Sequence, residues 1–149
     1  MIRIALTGGI ATGKSSAARL FENHGIPVLD ADRVARRIVK PGTPGLDEIV
    51  REFGTEILNP DGTLAREALR NIVVHDSSAR RRLEAITHPR IQSDIAAWLT
   101  RQQENGRTMA IVEAALLVET GSYREYDLTV VVTCDSVKQN ERLVARNGL

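Results

Sequence analysis

The sequence predicts an α/β fold, a doubly wound parallel sheet in three layers with a helical segment inserted into it. Three observations predict it. An apolar run, Ile2, Ile4, Ala5 and Leu6, leads through a glycine-rich loop directly into residues with helical spacing. Two later runs, residues 109–112 and 128–133, have the length and branched content of further buried strands. Between these lie several helical patterns with no strand among them, which reads as an insertion.

The first strand runs into Gly8-Gly9-Ile10-Ala11-Thr12-Gly13-Lys14-Ser15, and Ser16 opens a helix whose spacing places Ala17, Leu20, Phe21 and His24 on one face. Gly-x-x-x-x-Gly-Lys-Ser between a strand and a helix is a P-loop in the setting its chemistry requires. Its glycines let backbone amides turn inward, and these amides cradle phosphate oxygens together with the positive end of the helix. The predicted phosphate-binding residues are Gly8, Gly9, Ala11, Thr12, Gly13, Lys14, Ser15 and Ser16. Lys14 reaches the β and γ phosphates, and Ser15 offers its hydroxyl to a bridging Mg2+. Replacing Lys14 by Ala is therefore expected to abolish nucleotide turnover and leave the fold intact.

The second strand covers residues 26–29 and ends at Asp30-Ala31-Asp32. Ligands of open parallel sheets bind beyond the carboxyl ends of strands, so one of Asp30 and Asp32 is a candidate for holding Mg2+ or its water and the other for accepting the proton of an attacking hydroxyl. One of them alternatively caps the helix expected over residues 33–39. The turn-rich stretch Lys40-Pro41-Gly42-Thr43-Pro44-Gly45 breaks the pattern, and residues 40–104 read as a helical substrate lobe on a core of residues 1–39 and 105–149.

Within that lobe a helix is expected from Ser77 or Ser78 to about Ile86. In Thr87-His88-Pro89 the residue before proline favours an extended backbone, and Pro89 suits the first position of a new helix. His88 then sits at a helix entrance, either as a donor to a ligand or as a surface histidine. Arg80-Arg81-Arg82 point in different directions on a helix and read as a solvated face.

Residues 109–112 form the third strand, ending at Glu113, and an apolar loop from Ala114 to Val118 precedes Glu119. After the fourth strand, Asp135 or Ser136 caps a final helix. There Gln139, Arg142 and Arg146 share one surface, either as a guanidinium clamp on transferring phosphates or as an exposed polar face. The lone Cys134 reads as a small apolar residue ending a strand rather than as a reactive thiol.

Composition excludes several classes. Twenty basic and 19 acidic residues give a net charge of +1, so no broad electrostatic case exists for nucleic acid or a membrane surface. No apolar run approaches a membrane span, no secretory leader is visible, and one cysteine permits no internal disulfide; a cytoplasmic location is expected. The guanine-reading Asn-Lys-x-Asp pattern of switch GTPases is missing from the sequence. A compact phosphotransferase fits best.

The order of motifs resembles the dephospho-CoA kinase family. The matching pieces are residues 6–15 (LTGGIATGKS), 29–32 (LDAD), 86–89 (ITHP), 116–119 (LLVE) and Gln139-x-x-Arg142-Leu-x-x-Arg146, in the family's order across almost the whole chain. The resemblance implies ATP as phosphoryl donor, Mg2+, and the ribose 3′-hydroxyl of dephospho-CoA as acceptor. It further implies Asp32 as general base, with Lys14, Arg142 and Arg146 serving the transferred phosphates. His88, Leu116, Leu117 and Glu119 would contact the acceptor.

Three departures stand out. Ala11 replaces a common glycine, which is expected to matter little as long as residue 11 keeps a negative φ. Ala115 replaces a proline before the double leucine. The sequence also stops at Asn147-Gly148-Leu149, where the family continues through its lid and an adenine-holding segment. A fragment of a longer enzyme, with reduced activity on its own, is therefore expected. Oligomeric state is not encoded legibly. Two other readings stay open, a kinase for a different small hydroxyl compound and a non-catalytic nucleotide-binding module.

Overall fold

The computed structural model describes residues 1–148. Its centre is strand β1 (Ile2–Gly8), flanked in parallel by β3 (Met109–Glu113) and β4 (Leu128–Val132), with β2 (Val28–Asp30) outside β3. The sheet order is β2-β3-β1-β4. A strand with parallel neighbours on both sides is covered on both faces, which is why Ile4, Ala5 and Leu6 form a continuous apolar run and are all buried. Ile4, Leu6 and Ile111 pack with Ala18 of helix α1 (Lys14–Asn23), and Phe21, Ile26, Val28 and Val130 close the cluster. Within α1 the covered face is Ala18 with Phe21. Leu20, expected on that face, is 60% exposed.

The chain divides into two compact units, residues 1–31 with 97–149, and residues 32–96. The helical unit takes in most of α2 (Ala31–Arg37), then α3 (Pro44–Phe53), α4 (Arg66–His75) and most of α5 (Ser77–Glu104). Arg37 of α2 pairs with Asp94 of α5 at 2.9 Å, which ties α2 to the helices. Val34, Leu46, Ile49, Ile57, Leu69 and Ile86 are among its buried apolar side chains. Gly45 is required there: a Cβ on it would stand 2.2 Å from the Ile38 carbonyl oxygen.

One local expectation is overturned in this unit. Helix α5 runs unbroken from Ser77 to Glu104 with Pro89 inside it, so no helix starts at Pro89 and His88 is an exposed mid-helix residue. An interior proline costs roughly 3 kcal/mol. The face carrying Ala79, Leu83 and Ile86 continues past that point through Arg90, paired with Glu48, and Asp94, paired with Arg37, while Pro89 itself is exposed, so contacts on both sides offset the missing bond. The helix begins at Ser77, as expected, and is capped by Asp76, whose Oδ1 accepts from the amides of Ser78 at 2.8 Å and Ala79 at 3.1 Å.

In the sheet unit, Asp127 precedes β4 and grips the start of β1. It accepts from the Arg3 amide at 2.8 Å and from the Arg3 guanidinium at 3.0 Å. The guanidinium and the amide hold the Asp127 carboxyl down at about 2.

Candidate active site

The loop from Gly9 to Gly13 joins β1 to α1 and is shaped by its own backbone. The Thr12 hydroxyl donates to the Gly9 carbonyl at 2.9 Å, and Gly13 takes up φ +99° immediately before the helix. No side chain caps α1, so the amides of its first turn lack both intrahelical and side-chain acceptors and face outward with the positive end of the helix dipole. That arrangement binds anions. Gly8 must be glycine, since a Cβ would lie 2.6 Å from the Val132 carbonyl oxygen on the neighbouring strand. Ala11 departs from expectation: its φ is +58°, making it the non-glycine residue with positive φ among those described. The crown of the loop needs the left-handed conformation that glycine adopts without cost.

Lys14 opens α1, and its Nζ lies 3.0 Å from Oε1 of Glu113. Glu113 ends β3, in register with Leu6 on one side and Asp30 on the other, so the two carboxylate-bearing positions are adjacent at the strand ends. Its burial against a lysine marks it as a site residue that sequence reasoning left as a strand terminus. The signal was an acidic residue closing an otherwise apolar strand. Ser15 and Ser16 are exposed in the first turn of α1.

Helix α6 (Ser136–Asn147) comes to the loop from β4, with its first turn fixed by Asp135, whose carboxylate accepts from the Lys138 amide at 2.8 Å. From it, the Gln139 side chain donates to the Ile10 carbonyl at 2.7 Å and the Arg142 guanidinium to the Ala11 carbonyl at 3.3 Å. The Cys134 thiol sits 3.8 Å from the same Ala11 oxygen. Arg146, one turn further on, is exposed and has no ion-pair partner among the described residues. Of the predicted guanidinium pair, Arg142 alone is brought to the loop.

The segment after β3 is tied to β1 by the Ala114 amide, which donates to the Leu6 carbonyl at 3.0 Å, and by the Thr7 hydroxyl, which donates to Ala115 at 3.3 Å. Leu117 is buried at 6% exposure and anchors this segment, whereas Leu116 at 62% and Glu119 are open to solvent. The remaining predicted residues belong to the helical unit: Asp32 is the second residue of α2, two beyond the end of β2, and His88 lies on α5.

A family model described as dephospho-CoA kinase matches residues 2–149. The chain belongs to the dephospho-CoA kinase family. Dephospho-CoA kinases of this family catalyse the ATP-dependent last step of coenzyme A biosynthesis. The dephospho-CoA kinase of Anaeromyxobacter dehalogenans is 49% identical over 98% of this chain and 69% of its own length. That of Geobacter sulfurreducens is 47% identical over 98% of this chain and 74% of its own. Among solved structures, TT1252 from Thermus thermophilus superposes with a TM-score of 0.85 at 31% identity, over 99% of this chain and 73% of that one. The dephospho-CoA kinase from Campylobacter jejuni matches at a TM-score of 0.65 and 16% identity, a likeness of fold, covering 98% of this chain and 95% of that one. No helix among the described residues is long and apolar enough to cross a membrane.

Proposed function

We propose that this chain transfers the γ-phosphoryl group of ATP to the ribose 3′-hydroxyl of dephospho-CoA, with the loop of residues 8–16 as the triphosphate cradle. The observation that carries the reading is the uncapped start of α1 behind Gly13, with the Lys14 ammonium beside it. Amides and ammonium together neutralise charge on the β and γ phosphates and keep the donor aligned. Asp32 takes the proton of the 3′-hydroxyl as its oxygen bonds to the γ-phosphorus and the bond to the β-phosphate oxygen breaks, releasing ADP. Arg142 neutralises developing charge from the α6 side, and Arg146, one turn further along α6, adds to the positive charge of that helix.

The donor set also suits Mg2+. A hydroxyl at Ser15 and carboxylates at Asp30 and Glu113 are hard oxygen ligands, and Mg2+ is commonly held by one or two carboxylates with phosphates and water completing its shell. When bound, the ion would screen the β and γ phosphates. His88, Leu116, Leu117 and Glu119 are assigned to the acceptor, with Leu117 acting by anchoring its segment. Residues 40–104 serve as the substrate lobe in this reading, and the location is the cytoplasm.

Incubation with ATP, Mg2+ and dephospho-CoA, followed by chromatography for coenzyme A, tests the proposal. Formation of coenzyme A supports it. ATP consumption only with another hydroxyl compound, or ATP binding with no turnover in a form extended to the length of the relatives, overturns it.

A further inference from the structure

We infer that Gln139 is a positioning residue for the phosphate loop, acting by locking the orientation of the Ile10–Ala11 peptide. The inference rests on the reading of residues 8–16 as a triphosphate cradle. A peptide unit is planar, with its carbonyl and amide pointing in opposite directions. Holding the Ile10 oxygen outward at 2.7 Å from Gln139 Nε2 therefore holds the Ala11 amide on the opposite side, toward the space enclosed by the loop. The lock is needed because Ala11 carries φ +58°, a conformation from which an L-residue gains by flipping back. A neighbouring contact works in the same sense, since Arg142 holds the next carbonyl, that of Ala11, at 3.3 Å.

Gln139 is itself well fixed. Its backbone N–H donates to the Asp135 carbonyl at 3.0 Å, and the Asp135 side chain caps the same helix. Asp135 lies three residues beyond Val132, which is in register with Gly8 at the other end of the loop. Strand β1, the loop crown, Gln139, the start of α6 and β4 thus form a closed mechanical ring. The side chain also lies over Gly9, where an added Cβ would stand 3.5 Å from Nε2.

The test compares wild type with Gln139→Met, which keeps length and loses the donor. Dissociation constants for ATP and for dephospho-CoA are measured by calorimetry, inorganic tripolyphosphate is used as a competitor, and thermal midpoints are recorded. The expected result is an ATP dissociation constant raised roughly tenfold, the scale of one hydrogen bond to a charged group, with tripolyphosphate weakened in parallel. Dephospho-CoA affinity and thermal midpoint stay at wild-type values. Unchanged ATP affinity overturns the inference, as does equal weakening of both substrates with a lowered midpoint, which is the mark of general destabilisation. A wild type that binds neither ATP nor tripolyphosphate overturns the underlying reading of the loop as well. Gln139→Ala provides the same comparison where the methionine variant does not fold.

Discussion

Lys14 Nζ stands 3.0 Å from Oε1 of Glu113, and the two side chains are only 16% and 10% exposed. The pair revises the expectation that Lys14 can be removed without structural consequence. A shielded charge stripped of its partner is costly, whereas removing both charges together is close to neutral. Lys14→Met and Glu113→Gln are each expected to lose about 3 kcal/mol of stability, and the double variant to recover most of that loss. Denaturant unfolding of the four proteins checks it. Phosphoryl transfer is lost in both proteins lacking Lys14, so stability and activity separate in the double variant.

Asp32→Asn preserves shape and removes the proposed base. Turnover is expected to fall about 10²- to 10⁴-fold, with the ATP dissociation constant unchanged. Single-turnover kinetics alongside equilibrium ATP binding measure the two effects separately, and wild-type turnover in this variant removes the assigned role.

Ala11→Gly is expected to stabilise the chain slightly. Left-handed backbone costs a non-glycine residue on the order of 1 kcal/mol, and the greater freedom of glycine in the unfolded chain takes back part of that. The net gain is about 0.5 kcal/mol, read as a small rise in thermal midpoint. Ala11→Val moves the midpoint the other way, because a branched Cβ tolerates φ +58° least.

The Arg3–Asp127 clasp predicts an acid limb to stability. Asp127 titrates at about 2 in the folded chain against an ordinary 3.8, so the folded state favours the carboxylate. Its contribution is complete above the ordinary value and drains away as pH falls toward 2. Asp127→Asn should lower the thermal midpoint near neutral pH and converge with wild type at the acid end of that window. Melting curves across the range check it.

How much of this was legible in the sequence depended on how local the determinant is. The strand, loop and helix of residues 2–23 were readable because apolar pattern, glycine spacing and helical spacing agree within one short stretch. The Asp135 cap was equally local. Glu113 and Gln139 were not readable as loop partners, since they lie 99 and 129 residues from the atoms they hold, and only the strand order brings them there. Pro89 misled for the opposite reason. A sound local rule lost to a helix that runs on through Pro89, with Arg90 and Asp94 beyond it paired to Glu48 and Arg37. At Ala11 the sequence showed the missing glycine but not the φ of +58°, which is a property of the folded loop.

The central position of β1 has a bearing on biosynthesis. Ile2 to Gly8 are translated about a hundred residues before the segments they zip against, Met109 to Glu113 and Leu128 to Val132. Residues 32–96 contact mainly one another and can collapse while translation continues. The nascent chain therefore carries an unpaired apolar segment while the residues between β1 and its partners are made, a ready target for chaperones, and the Gly8 end of β1 meets its neighbour only when the fourth strand docks.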